Sequence, residues 1–366
     1  MRSMVVALFL AFACQAGLAQ PATVGSVPVA GDDYEIAPAS EVMALPASLR
    51  ERVQREILHD NPGPHERLER LGVFLFSPDG LGMTYVETAN LTVAQAYEAR
   101  SANCLSFTML FLALAKETGL DAAPQEIEQI LGFRQADGTL YLSNHVNAIV
   151  RMGVRRYTVD VAGDQIIPRD PPQPITIERL IAHYYNNLAV DRLAAADYPA
   201  ALALLERALV LDPGYAGYWS NAGVVRTRNG DPRGGERDYR HALELEPDNT
   251  NALFNLAGLA ARMGDRPLEA QYRKRLARIQ RNDPFHAFVQ AVNAENAGDL
   301  ARATRFYRRA IELQPQEHRF HSALANAYLK AGKTSLAIRS LARAQALSNG
   351  DTRAAYSERL DALRAR

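Results

Sequence analysis

Five small residues, Ala196, Gly230, Gly264, Gly298 and Gly332, stand 34 residues apart in the second half of the chain. Asp197, Asp231, Asp265 and Asp299 follow four of them, and Lys333 follows the fifth. Ala189, Gly223, Ala257, Ala291 and Ala325 hold the same phase, as do Ala208, Ala242, Ala310 and Ala344, with Leu276 the exception. Pro213, Pro247 and Pro315 close their units; Arg281 occupies that phase in the third, with Pro284 displaced. Each unit reads as two helices. Small residues let the pair approach, glycine makes the turn, and proline ends the second helix. One unit cannot bury its apolar face alone, so the copies have to stack into a solenoid.

Residues 182–351 thereby resemble five tetratricopeptide repeats (TPR), and Thr352–Arg366 reads as a capping helix with Ala355, Leu360 and Leu363 available to cover the last repeat. The resemblance implies an all-α array whose first helices line a groove for a protein or peptide partner. Mapped onto this chain, groove positions are Gly217, Ser220, Asn251, Phe254, Phe285, Phe288, Arg319 and Ser322. Phe254, Phe285 and Phe288 would form an apolar anchor patch there; the alternative is that they pack between helices. A basic clamp for a C-terminal carboxylate is not evident. Trp219 falls at a packing position of the repeat. His318 and His321 are three apart on a helix, but no third ligand accompanies them, so no metal site is expected.

The first half differs. Arg2 precedes an apolar run, Val5–Ala13, and Ala16-Gly17-Leu18-Ala19 offers small residues for cleavage, so 1–19 reads as a signal peptide. The alternative is a lipoprotein leader with lipid on Cys14. Either implies export, with the bacterial periplasm the expected compartment. Cys14 and Cys104 are the two cysteines of the chain. Loss of the leader leaves one thiol in a compartment where thiols tend to be oxidised. Residues 20–46, rich in Ala, Pro and Gly, are expected to be extended and partly disordered. Residues 182–366 carry a net +7 and 1–181 a net −7, below the density of a nucleic-acid binder. No later stretch reads as a transmembrane helix.

Between 47 and 167 an α+β domain is expected. Ala47–His59, Glu66–Phe76 and Leu91–Arg100 carry helical spacing, with Thr92 as a cap. Ser101–Gly119 is the most apolar stretch: only Ser106 and Thr108 are polar between Leu105 and Ala115. It reads as a buried helix, capped by Asn103 or Ser101 and ended by Gly119. Cys104 then sits at a helix N-terminus, where unpaired N–H groups and the helix dipole favour a thiolate. Ile127–Phe133, Leu140–Val150 and Arg155–Val161 have strand character, the first two around Asp137-Gly138. Centring the next turn on Met152-Gly153 sets residues whose numbers sum to 305 opposite each other, so His145 faces Asp160. Residues 168–181, beginning PRDPPQP, form the expected connector to the repeats. There is no HExxH, CxxC, GxxxxGK or GxGxxG, so zinc-hydrolase, iron–sulfur and nucleotide chemistry have no support and no cofactor is expected.

NCLSFTMLFLALAKETGL, NHVNAIV and YTVDV resemble the transglutaminase-like superfamily of papain-type cysteine enzymes. Ala102 departs from the glycine many members carry there. The resemblance implies Cys104 as nucleophile, His145 as general base and then acid, and Asp160 as the carboxylate orienting it. It leaves open the side chain that completes the oxyanion hole, for which Gln95, Tyr97 and Asn103 are candidates, while Asn147 shares the strand face of His145 and would line the cleft. The implied function is an exported cysteine-dependent acyl transferase or hydrolase acting on peptide or isopeptide amides, with the repeats recruiting substrate or partner. The alternative is a periplasmic interaction scaffold whose transglutaminase-like domain is inactive.

Overall fold

The structure, a computed structural model, describes residues 36–127, 133–136, 139–142, 144–161 and 171–365. The leader expected over 1–19, including Cys14, and the turn at Asp137-Gly138 lie outside the described residues, as do 20–35 of the extended segment and 168–170 of the connector. The chain divides into two compact units, Met1–Leu131 with Ser143–Asp231, and Gly132–Leu142 with Pro232–Arg366. The division falls after Asp231 rather than at the Pro-rich stretch, so the first three helices of the repeat region belong with the half that carries Cys104.

The first unit begins with α1 (Ala39–Val42), α2 (Ala47–Glu56) and α3 (Pro64–Phe76). The two-residue strands β1 (Thr84–Tyr85) and β2 (Ser101–Ala102) pair in parallel around α4 (Val93–Ala99). Thr92 starts α4 with a capping box shared with Gln95. The central element is α5 (Cys104–Glu117), in which every residue from Leu105 to Ala115 is buried. Asn103 caps its start, accepting from Ser106 N, and the chain turns out beyond its end through Gly119 at φ 68°. That backbone conformation costs a residue with a Cβ about 1–2 kcal/mol, which favours the glycine.

A four-stranded antiparallel sheet supports α5, in the order β7–β6–β3–β8. Its members are β3 (Asp121–Ile127), β6 (His145–Met152), β7 (Arg155–Val159) and β8 (Gln173–Pro174). The strand expected over 127–133 falls mostly on 128–132, outside the described residues, and Ile127 itself belongs to β3. No strand was expected over the start of β3, because DAAP at 121–124 carries poor strand formers. Pairing overrides that preference: Pro124 lies opposite Ala148, and its carbonyl accepts from Ile175 N. The stretch expected as one strand over 140–150 is split between β6 and β5 (Thr139–Leu142), which pairs with β4 (Phe133–Ala136) in a separate hairpin of the second unit.

The β6–β7 turn is centred on Gly153-Val154, since Met152 pairs with Arg155 and Ala148 with Val159, numbers summing to 307 rather than 305. Val154, apolar in sequence, is 98% exposed at the turn tip. The slip is two residues. A side-chain period of two therefore leaves every residue on its expected face.

Helices α6 (Ile177–Ala194), α7 (Tyr198–Leu211) and α8 (Ala216–Arg228) complete the first unit. In the second unit, α9 (Pro232–Leu245), α10 (Thr250–Met263), α11 (Arg266–Arg281) and α12 (Pro284–Asn296) are followed by α13 (Leu300–Leu313), α14 (His318–Lys330), α15 (Thr334–Leu347) and α16 (Gly350–Arg364). The repeating dipeptide is a helix stop followed by a helix start. Ala196, Gly230, Gly264, Gly298 and Gly332 are all left-handed, at φ 60°, 87°, 77°, 79° and 70°. Asp197, Asp265 and Asp299 then accept from Ala200, Leu268 and Arg302 N as N-caps, whereas Lys333 makes no side-chain cap. The in-phase alanines at 208, 242, 291, 310, 325 and 344 are fully buried. On α16, Tyr356 and Leu360 enter the core with Leu363 against it, while Ala355 is exposed, so Tyr356 takes the covering role expected of Ala355.

Candidate functional site

Cys104 occupies the first helical position of α5, half-buried, as a free thiol. Its neighbours fix the helix start. Ser106 donates to Ala89 O at 2.9 Å and accepts from Leu91 N at 2.8 Å, and Asn103 donates to Asn90 Oδ1 at 2.7 Å. Thr108 Oγ1 stands 2.8 Å from Cys104 O and 3.3 Å from Val146 O, joining the first turn of α5 to β6.

His145 opens β6 and Asp160 follows the last residue of β7. His145 Nε2 lies 2.7 Å from Asp160 Oδ2, with the two side chains 3% and 11% exposed. Asn147 Nδ2 donates to the same oxygen at 3.1 Å. Asp160 therefore fixes the ring through Nε2 and leaves Nδ1 for a second partner. Burial pushes the imidazole down, but hydrogen bonds and charge from Asp160 and Cys104 outweigh it and raise His145 to about 9. The two-residue correction in register makes the His145–Asp160 contact diagonal rather than directly opposed, and the shared face preserves it.

The remaining expected residues divide. Asn147 is 2% exposed and holds Asp160; its Oδ1 is buried with no hydrogen-bond partner among the described residues. Asn103 is committed to the α5 cap and to Asn90, and Gln95 Oε1 to the α4 cap, accepting from Thr92 N at 2.9 Å. The oxyanion donor of each would be its amide nitrogen: that of Asn103 already donates to Asn90, whereas the Gln95 cap uses the oxygen and not Nε2. Tyr97 interacts with Arg52. Sequence reasoning missed Tyr85, 42% exposed, which pairs with Ala102 two residues before the thiol. Burial, then the charges of Cys104, Glu87 and Asp160, push its phenol up. Nothing local in Thr84-Tyr85 signals this; the parallel pairing of two-residue strands creates it.

In the second unit Phe285 is 6% exposed and edge-on to Phe320, with ring centroids 5.7 Å apart. Phe288 stacks on Phe320 at 5.0 Å and meets Tyr307 at 5.5 Å. Of the expected apolar anchor patch, Phe285 is thus withdrawn into helix packing against Phe320 from α14, while Phe288, stacked on the same ring, and Phe254 are half-buried. In the first unit Trp219 is half-buried, and Tyr218, fully buried, takes the packing role beside it. His318 bonds Tyr356 OH at 3.0 Å and the buried His321 bonds Pro315 O at 3.0 Å, so both make structural contacts. Among the described residues no cluster of His, Cys, Asp and Glu has metal-binding geometry, and no helix is long and apolar enough to cross a membrane.

A family model described as tetratricopeptide repeat matches residues 186–232, 223–285 and 288–352. The helical region is therefore a TPR array, a scaffold for protein–protein interaction. The matches begin beyond Cys104, His145 and Asp160. The human protein O-mannosyl-transferase TMTC3 is 31% identical over 139 residues, 37% of this chain and 15% of that protein, so the chain spans a small part of this relative. YrrB, described as a TPR protein with an unusual peptide-binding site, is 20% identical over 49% of this chain and 92% of its own, with a TM-score of 0.26. MamA from Desulfovibrio magneticus RS-1 is 15% identical over 45% and 94% of the two chains, also with a TM-score of 0.26.

Proposed function

We propose that the chain is an exported, cysteine-dependent enzyme that hydrolyses or transfers acyl groups from peptide or isopeptide amides, and that its TPR array recruits the protein substrate. The observation that carries this reading is the 2.7 Å contact between His145 Nε2 and Asp160 Oδ2, which leaves the other ring nitrogen for Cys104. A nucleophile, a base and a group that orients the base are the minimum set for amide acyl transfer. Cys104 gives its proton to His145, and the thiolate attacks the amide carbonyl. The S–C bond forms, the C–N bond breaks, and the leaving amine takes the proton from the imidazolium. Water then gives a proton to His145 and attacks the thioester, releasing acid and thiol. Hydrolysis is favoured over crosslinking because water needs no separate acceptor site. The N–H groups at the start of α5 supply oxyanion stabilisation. Export follows from the Arg2–Ala19 leader pattern and points to the bacterial periplasm; lipid on Cys14 is the alternative form of the same leader.

Iodoacetamide labelling of Cys104 across pH tests the reading. A thiolate paired with His145 alkylates well below pH 8, and His145→Ala moves the limb upward to the range of an ordinary thiol. Cys104→Ser is expected to abolish labelling and turnover while leaving thermal stability nearly unchanged. A wild-type thiol that labels only above pH 8 would leave a non-catalytic interaction scaffold.

A further inference from the structure

Helix α6 carries Arg179, His183, Asn187 and Asp191 at a strict four-residue spacing, which puts them along one face. All four reach the half of the unit that holds Cys104 and His145. At one end, Asn90 Nδ2 donates to Asp191 Oδ2 at 2.8 Å, and Asn187 Nδ2 donates to Asn90 Oδ1 at 3.3 Å. The same Asn90 oxygen accepts from Asn103, the cap residue directly before Cys104. At the other end, His183 Nε2 stands 3.3 Å from Glu126 Oε1 and Arg179 Nη1 stands 4.0 Å from Glu126 Oε2, with Glu126 1% exposed. Asn144, directly before His145, donates to Glu126 Oε1 at 2.7 Å and to Tyr215 OH. The Tyr215 ring is held under the Arg179 guanidinium, 4.8 Å away, and edge-on to His183 at 5.2 Å.

The strand end that carries His145 needs such a support. Among the described residues the β6–β7 ladder covers 148–152 of β6, so there His145, Val146 and Asn147 pair through the backbone with β3 alone. A strand end laddered on one side opens more readily than one laddered on both. A base in acyl transfer has to stay within hydrogen-bond reach of its nucleophile, about 2.6–3.2 Å. Cys104 and His145 come from segments 41 residues apart, and α6 reaches the residue before each of them through one intermediary, Asn90 or Glu126.

We propose that α6, the first helix of the repeat array, is a positioning element of the cysteine site. Its polar face fixes the start of α5 and the start of β6 relative to each other, and so sets how far Cys104 is ionised by His145. Arg179, His183, Asn187 and Asp191 act through Asn90 and Asn144 and touch no reacting atom. This inference rests on the reading of Cys104 and His145 as a reactive pair and adds that the array's first helix belongs to that site.

The test uses the full chain and two variants, at Asp191 on α6 and at Tyr215, the residue before α8 whose ring packs on Arg179 and His183 of α6. Tyr215→Phe removes one hydroxyl on the His145 side, and Asp191→Ala removes the acceptor for Asn90 on the Cys104 side. Each is read by the pH profile of Cys104 alkylation with iodoacetamide and by thermal melting. The expected result is a low-pH limb displaced upward by about half a unit to one unit in either variant, which slows alkylation at pH 6 by about three- to tenfold. A purely structural role would lower the melting temperature and leave the limb in place, and that result overturns the proposal. Should Asp191→Ala fail to fold, Asn187→Ala, which removes the other α6 contact to Asn90, takes its place beside Tyr215→Phe. A wild-type chain with no low-pH limb overturns the reactive-pair reading and this inference with it. A wild-type limb that neither variant moves overturns this inference only.

Discussion

Replacing Asp160 with asparagine keeps the shape and hydrogen-bonding capacity of the side chain and removes its charge. His145 is raised from 6.5 to about 9, against the burial that pushes it down, chiefly by Asp160 and then by Cys104. At 1.36 kcal/mol per unit, that difference corresponds to about 3 kcal/mol of preferential stabilisation of the imidazolium by both partners together. With the imidazole 3% exposed, solvent screening takes little from it. Asp160→Asn should therefore lower the His145 midpoint by about one unit or more and cost roughly 1–2 kcal/mol of folding stability at pH 6. The sign follows from the raised folded-state value. The contribution is fully present below 6.5 and is lost as pH rises through about 9, so wild type and variant should converge in stability at pH 10. The assay is denaturant unfolding of both proteins at pH 6 and pH 10, with the His145 Cε1 proton followed by NMR between. A stability gap that is equal at the two pH values, or a His145 midpoint that does not move, would refute the argument that the carboxylate charge holds the imidazolium.

Two further predictions concern the supports. Phe320 is fully buried between Phe285 and Phe288, and Phe320→Ala should cost about 3–5 kcal/mol in unfolding of the second unit, read by circular dichroism. Glu126 is pushed up by burial, but His183, Arg179 and Asn144 outweigh this and hold its carboxyl below the ordinary 4.5. Its contribution is present above that value and is lost as pH falls through the depressed one, so Glu126→Gln should flatten the acid limb of the stability profile below about pH 5. An acid limb unchanged by the substitution would place the stabilising carboxylates elsewhere.

Legibility in the sequence followed the range of the forces involved. The 34-residue phase and the Gly-Asp punctuation are local chemistry: a left-handed stop followed by an aspartate that caps the next helix. The same holds for Asn103 and Thr92 as caps and for the apolar run of α5 as a buried helix. The face shared by His145 and Asp160 was readable because it depends only on a period of two, which survived a turn centre misplaced by one residue, away from the apolar Val154. Elements that depend on distant partners were not readable. Asp121–Ile127 is a strand because β6 and β8 pair with it, against the preference of its own residues. Phe285 is buried because Phe320, more than 30 residues on, packs edge-on against it and also stacks on the half-buried Phe288.

The amino-acid order alone determined that the chain would build a repeating helical array and that its free thiol would stand at the head of a buried helix, since period, capping and hydrophobic run are properties of neighbouring residues. Tertiary structure decided what surrounds that thiol. It set Tyr85 beside the site through a two-residue parallel pairing, engaged the Asn103 amide with Asn90, and joined α6 to the half of the chain that carries Cys104. Those contacts link residues up to about a hundred positions apart, as Asn90 and Asp191 are, and no local pattern encodes which distant side chain satisfies a buried polar group.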